Sequence, residues 1–137
     1  MNEKKIKHLE LIQSIINRMS NNSFLIKGWC VTLVAAILAL ANKDINRGFV
    51  MIVFLPILLF WLLDGYFLNQ EKRFRNLYNK VRLKEENEID FSMNTEKNSF
   101  NKFSRAVFSA TLIPFYGFMI VAAFTAVALL FEWVKLK

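Results

Sequence analysis

The chain carries one cysteine, one histidine, two prolines and four glycines in 137 residues. A lone Cys30 excludes an internal disulfide framework, and with His8 as the only histidine no Cys/His set reaches zinc spacing. Neither residue has a sequence partner that would make it a nucleophile or a base. An enzyme is therefore not expected, nor a metal or a cofactor. Gly28, Gly48, Gly65 and Gly117 stand alone, which excludes a phosphate-binding loop. The absence of an internal repeat and the small size argue against a secondary transporter. What the chain has instead is apolar residues in blocks: 55% are hydrophobic, Phe alone supplies 14, and the net charge is +7. A soluble domain averages about 45–50% apolar and is not expected to be both greasier and this basic.

Three runs carry the apolar residues: 24–41 with Lys27 its only charge, 49–67 with Asp64 its only charge, and 106–131 with none. Crossing roughly 30 Å of hydrocarbon takes about 20 helical residues, so each run reads as a membrane span. Too little polar chain remains to wrap three such helices as a soluble core. A cleaved signal peptide is the competing reading of the first run, since Lys4, Lys5 and Lys7 precede it and Ala39-Leu40-Ala41 has the small-x-small form. The 23 residues before that run have a pattern of their own, which argues against it.

The expected fold is an all-α membrane protein assembled as a homo-oligomer. It comprises an amphipathic helix at 1–23, spans at 24–41, 49–68 and 106–131, outer segments at 42–48 and 132–137, and a cytoplasmic basic helix with an acidic and polar loop at 69–105. Lys and Arg number four before the first span and nine in 69–105, against two in 42–48 and two after Phe131. The positive-inside rule then puts the N-terminus in the cytoplasm and the C-terminus outside a bacterial inner membrane. Trp133, Glu132, Lys135 and Lys137 would mark the outer interface, and Trp29, Tyr66 and Arg105 the inner one.

Two cytoplasmic stripes follow from helical periodicity. Leu9, Ile12, Ile15, Ile16 and Met19 share one side of the first helix. Phe74, Leu77, Tyr78 and Val81 share a narrow arc of the second, with Lys72, Arg73, Arg75, Lys80, Arg82 and Lys84 around it. No Gly or Pro separates Phe67 from Arg82, so the second span should continue inward as one helix, its 69–84 piece reaching about 24 Å. The short outer connection makes the first two spans an antiparallel hairpin. Their stripes then pair as a stalk, within a chain or between chains; lying on the membrane surface is the alternative. Beyond the helix, Glu85, Glu86, Glu88, Asp90 and Glu96 reverse the charge, and a polar loop leads into the third span.

Lys27 and Asp64 fall at matching depth, about 5 Å inside the cytoplasmic boundary. They are expected to pair, although Lys27 is also placed to snorkel to head groups. Asp64, being short, is the stronger functional candidate, as a counter-charge or a pore-mouth carboxylate. Pro114 followed by Gly117 should kink the third span as packing or as a hinge, with Ser109, Thr111 and Tyr116 satisfying freed carbonyls. Ala35-Ala36-Ala39 and Ala122-Ala123-Ala126 allow close helix approach. Phe49, Phe54, Phe60, Phe115, Phe118 and Phe124 suit lipid or bundle contacts. Polar pore lining by the second span, at Asp64, or by the third, at its hydroxyls, is equally open.

Lys27-Gly28-Trp29, Phe60-Trp61-Leu62-Leu63-Asp64-Gly65-Tyr66-Phe67-Leu68 running into Gln70-Glu71-Lys72-Arg73-Phe74-Arg75-Asn76-Leu77-Tyr78, Asp90-Phe91-Ser92-Met93 and Ile113-Pro114-Phe115-Tyr116-Gly117 resemble a widespread family of small bacterial three-span proteins. Within it the chain is similar to the membrane effectors of Hailong-type antiphage defence. The likeness covers most of the chain and is most specific over residues 64–78. It implies a homo-oligomeric channel held shut by short single-stranded DNA from a partner nucleotidyltransferase, which depolarises the cell when that DNA is lost. No site residue is carried over from it. The residues themselves add that Lys72, Arg73, Arg75, Lys80, Arg82 and Lys84, with Phe74 and Tyr78 interleaved, would suit phosphates and bases around an assembled mouth. In a tetramer, for example, that basic ring would be repeated fourfold. The competing expectation is a non-conducting anchor or assembly subunit that recruits a soluble partner through its stalk.

Overall fold

The computed structural model describes residues 3–41, 48 and 51–135, with side chains to residue 132. The expected connection at 42–47, Phe49, Lys137 and the side chains of Trp133 and Lys135 lie outside what it describes. Every described element is helical: α1 Glu3–Leu40, α2 Phe54–Leu83, a 3-10 turn at Glu86–Glu88, α3 Phe100–Val107 and α4 Leu112–Lys135.

Helix α1 runs unbroken for 38 residues, about 57 Å at 1.5 Å per residue. The segment expected to be amphipathic and the first apolar run are therefore one continuous helix. Ser20, Asn21, Asn22 and Ser23 are weak helix formers, but α2 lies antiparallel along the same length, and tertiary packing outweighs propensity. Lys5 reaches Arg82 and Lys84 at one end. Ile12 and Ile16 meet Val81 further along, Ser23 and Lys27 meet Asp64 in the middle, and Cys30 and Val34 share a cluster with Val53 and Ile57 at the far end.

The stalk closes within one chain. Ile12, Ile16 and Val81 are buried, and Leu9, Phe74, Leu77, Tyr78 and Met93 pack around them. At its tip, the Lys5 ammonium donates to the carbonyls of Arg82 at 3.2 Å and Lys84 at 2.7 Å. The C-terminal carbonyls of α2 lack helical partners, and a cation there also opposes the helix dipole.

The third apolar run departs from expectation. It is not one helix: α3 begins in the segment expected to be loop, the chain breaks at 108–111, and α4 starts at Leu112. Pro114 explains the position of the break. It has no N–H for the carbonyl four residues back, and its ring would clash there, so a helix cannot run straight through. A restart places Pro114 in the first turn, where no donor is needed. Ser109 supports the restart, its carbonyl accepting from the N–H of Leu112 at 3.1 Å and of Ile113 at 3.0 Å. In place of the expected kink at Pro114, the run breaks just upstream of it. Gly117 lies inside a continuous helix with nothing close to its missing side chain.

Helix α3 is held against α2 at Trp61 and Gly65. A side chain at Gly65 would run into that of Val107 and lie 3.2 Å from the Val107 Cα. The Trp61 indole N–H donates to the Val107 carbonyl at 2.9 Å, satisfying the end of α3.

Two helical stretches, Glu3–Leu40 and Leu112–Glu132, are long and apolar enough to cross a membrane, with windows of mean hydropathy 2.0 and 2.1. Only 17% and 28% of those windows is buried, far from the mostly covered core helix of a soluble protein. Phe24, Trp29, Phe118 and Phe124 are each more than 60% exposed. Phe54, Phe60 and Phe115 instead pack against the main cluster. The alanines of Ala35-Ala36-Ala39 are exposed, whereas Ala123 is buried in that cluster.

Candidate functional site

Asp64 is fully buried, at the point where α1, α2 and α4 converge. The Lys27 ammonium lies 2.5 Å from its Oδ2. The Ser23 hydroxyl donates to Oδ1, and the Tyr116 hydroxyl lies 3.0 Å from Oδ2 and 3.2 Å from the Phe60 carbonyl. Lys27 also donates to Ser23 Oγ at 2.9 Å. The structure thus brings three expected residues, Lys27, Asp64 and Tyr116, into one cluster within a single chain.

Ser23 was not anticipated. The available signal was its position one turn before Lys27, the spacing that places two side chains on one helix face. Trp61 is the other omission. Its ring stacks on Tyr116 with centroids 5.9 Å apart and planes 10° from parallel, and it meets the edge of Phe108. Both contacts depend on the α3–α4 break, which hydropathy alone does not reveal.

The cluster is chemically closed. A carboxylate in an apolar interior requires a counter-charge and hydrogen bonds for its oxygens, and Asp64 has both. In the single chain its carboxylate has no exposed surface and is enclosed by Lys27, Ser23 and Tyr116. Ser109 and Thr111 are not part of it: Ser109 caps α4, and Thr111 sits exposed in the break.

The basic residues divide. Arg73 donates to the Glu96 carbonyl through Nε at 3.0 Å and Nη2 at 2.7 Å, and to Gln70 at 2.8 Å. Arg75 pairs with Glu71 one turn away. Lys80 and Lys102 take the two carboxylate oxygens of Glu96 at 2.6 Å and 2.8 Å. Lys84 lies near Asp90, whose carboxyl is held below its ordinary range by the Ser92 N–H and then by the Lys84 charge. Lys72 and Arg82 are exposed. Phe74 and Tyr78 are partly buried, packed against the stalk seam.

Hydrogen bonds from Lys102 and Lys80 hold the Glu96 carboxyl at about 2. Its folded value is depressed, so the contribution of these pairs is complete above the ordinary carboxylate range near 4.5 and is lost as pH falls toward about 2. The pairs are intact throughout the physiological range.

Asn69, 2% exposed, donates to the Asn98 side chain at 2.8 Å and fixes the same loop further along. His8 is 3% exposed and both its ring nitrogens lack a partner among the described residues. It packs on Phe91, which adopts a left-handed φ of 52°. Comparison of the chain with protein-family models, curated proteins and solved structures finds no match.

Proposed function

We propose that the protein is a three-span membrane effector, with α1, α2 and α4 each crossing the bilayer, that assembles as a homo-oligomer and conducts ions under the control of an anionic ligand at its cytoplasmic side. The observation that carries this reading is the buried Lys27–Asp64 pair, joined to a third helix by Tyr116, inside helices whose outward faces are bare apolar surface. Ionisable groups are expensive at membrane depth and tend to mark function. A polar link made or broken between spans is also a discrete element that a ligand can bias.

The positive-inside count supports a cytoplasmic N-terminus and stalk. The resemblance to Hailong-type effectors supports a role in antiphage defence, with a nucleotide or short single-stranded DNA from a partner nucleotidyltransferase as the ligand. Purified protein inserted in planar bilayers should pass current that short single-stranded DNA alters. Well-inserted protein that stays silent at all voltages would contradict the reading.

The alternative, a non-conducting anchor that recruits a soluble partner, has one observation in its favour: Ile6 and Leu11 stay 40% and 54% exposed on the stalk outside its closed seam. It predicts a captured partner and no depolarisation on expression.

A further inference from the structure

We propose that Arg73, Lys80 and Lys102 form a phosphoryl-anion site that the chain keeps occupied with its own Glu96 carboxylate. Arg73 and Lys80 are seven residues apart, two helical turns, and therefore share one face of α2. Lys102 arrives from α3. All three converge on a single residue: the lysines on its two carboxylate oxygens and the arginine fork on its carbonyl. Three cations against one carboxylate leave an excess of positive charge, unlike the one-to-one pair of Arg75 with Glu71.

A carboxylate offers two oxygens and one charge. A phosphoryl group offers three oxygens and up to two charges, which matches the donors more fully. The side chains of Lys80, Lys102 and Glu96 are 60%, 43% and 42% exposed, so an anion from solution reaches them directly. The segment also stays in place when the Glu96 side chain leaves. Its backbone is held separately, by Asn69 on Asn98, which leaves the Arg73 fork able to turn from the Glu96 carbonyl to the anion.

Glu96 is thus a tethered competitor. Its high effective concentration shuts the site to weak anions and sets a threshold for strong ones. This deepens the anionic-ligand part of the function proposed above. It rests on that reading only for a consequence in current, since binding does not require conduction.

The test uses full-length protein in detergent, inorganic phosphate as the probe and titration calorimetry as the readout. Removing a carboxylate from a basic surface would ordinarily be scored as loss of a contact. Here Glu96→Gln and Glu96→Ala should each bind phosphate at least tenfold more tightly than the parent, and adding Lys80→Gln with Lys102→Gln should erase the gain. Equal or weaker binding by both Glu96 variants, in protein that retains its helical circular dichroism, would overturn the proposal. Repeating the titration in nanodiscs distinguishes the source of the phosphoryl group. If a lipid headgroup fills the site, phosphatidylglycerol discs should suppress phosphate binding relative to phosphatidylcholine discs; if a free phosphate compound fills it, both should bind alike, and either pattern upholds the site. Tight phosphate binding by a protein that passes no current would remove the channel and leave the site.

Discussion

Lys27→Met should destabilise the protein by about 3–5 kcal/mol, the cost of leaving a buried charge without its partner. Asp64 has no exposure through which to regain water. Only the hydroxyls of Ser23 and Tyr116 would remain to it. Asp64→Asn should cost less. The Lys27 side chain is 21% exposed, and its long stem lets the ammonium withdraw toward head groups. Replacing both, as Lys27→Met with Asp64→Leu, should restore much of the loss, because a buried pair exchanged for apolar groups is often neutral. Melting temperatures of the four proteins in mild detergent measure this. A Lys27→Met variant as stable as the parent would show that the pair contributes nothing to the folded chain.

Tyr116→Ala should cost a similar 3–5 kcal/mol, as is usual for removing a large buried aromatic. Tyr116 is completely buried. It joins Leu112, Met119, Ala123 and Val127 of α4 to Cys30, Val34, Val53 and Ile57 of the hairpin, and stacks on Trp61. Truncation would leave a cavity at the convergence of three helices. Tyr116→Phe keeps the ring and loses only the hydroxyl, so about 1 kcal/mol is expected. Thermal unfolding, together with protease sensitivity of residues 108–111, separates the two. If Phe proves as damaging as Ala, the hydroxyl on Asp64 and not the ring packing secures α4.

How much of this was legible in sequence depends on the reach of the signal. The Lys27–Asp64 pairing followed from depth arithmetic, because helical rise fixes height once a span is bounded. The continuation of α2 past Phe67 followed from the lack of Gly or Pro, and the stalk stripes from periodicity. The break at 108–111 was hidden, since hydropathy does not distinguish one helix from two joined by apolar residues. Pro114 carried the clue, but its alternatives, kink or restart, are separated only by what packs nearby: here Trp61, Gly65 and Tyr116 hold the elbow. Helix α3 went unseen because Asn98, Ser99 and Asn101 read as loop. The commitment of Arg73, Lys80 and Lys102 to Glu96 was equally out of reach. It links α2 to a loop and to a second helix at separations no local pattern records.

The most direct test of a three-span chain with its stalk inside the cell is labelling of single cysteines by a membrane-impermeant maleimide on intact spheroplasts. With Cys30→Ala as background, Lys137→Cys should react at once and Lys72→Cys only after the membrane is broken. A Lys137→Cys protected to the same degree as Lys72→Cys would put both on one side of the bilayer, requiring an even number of crossings, or none, between residues 72 and 137.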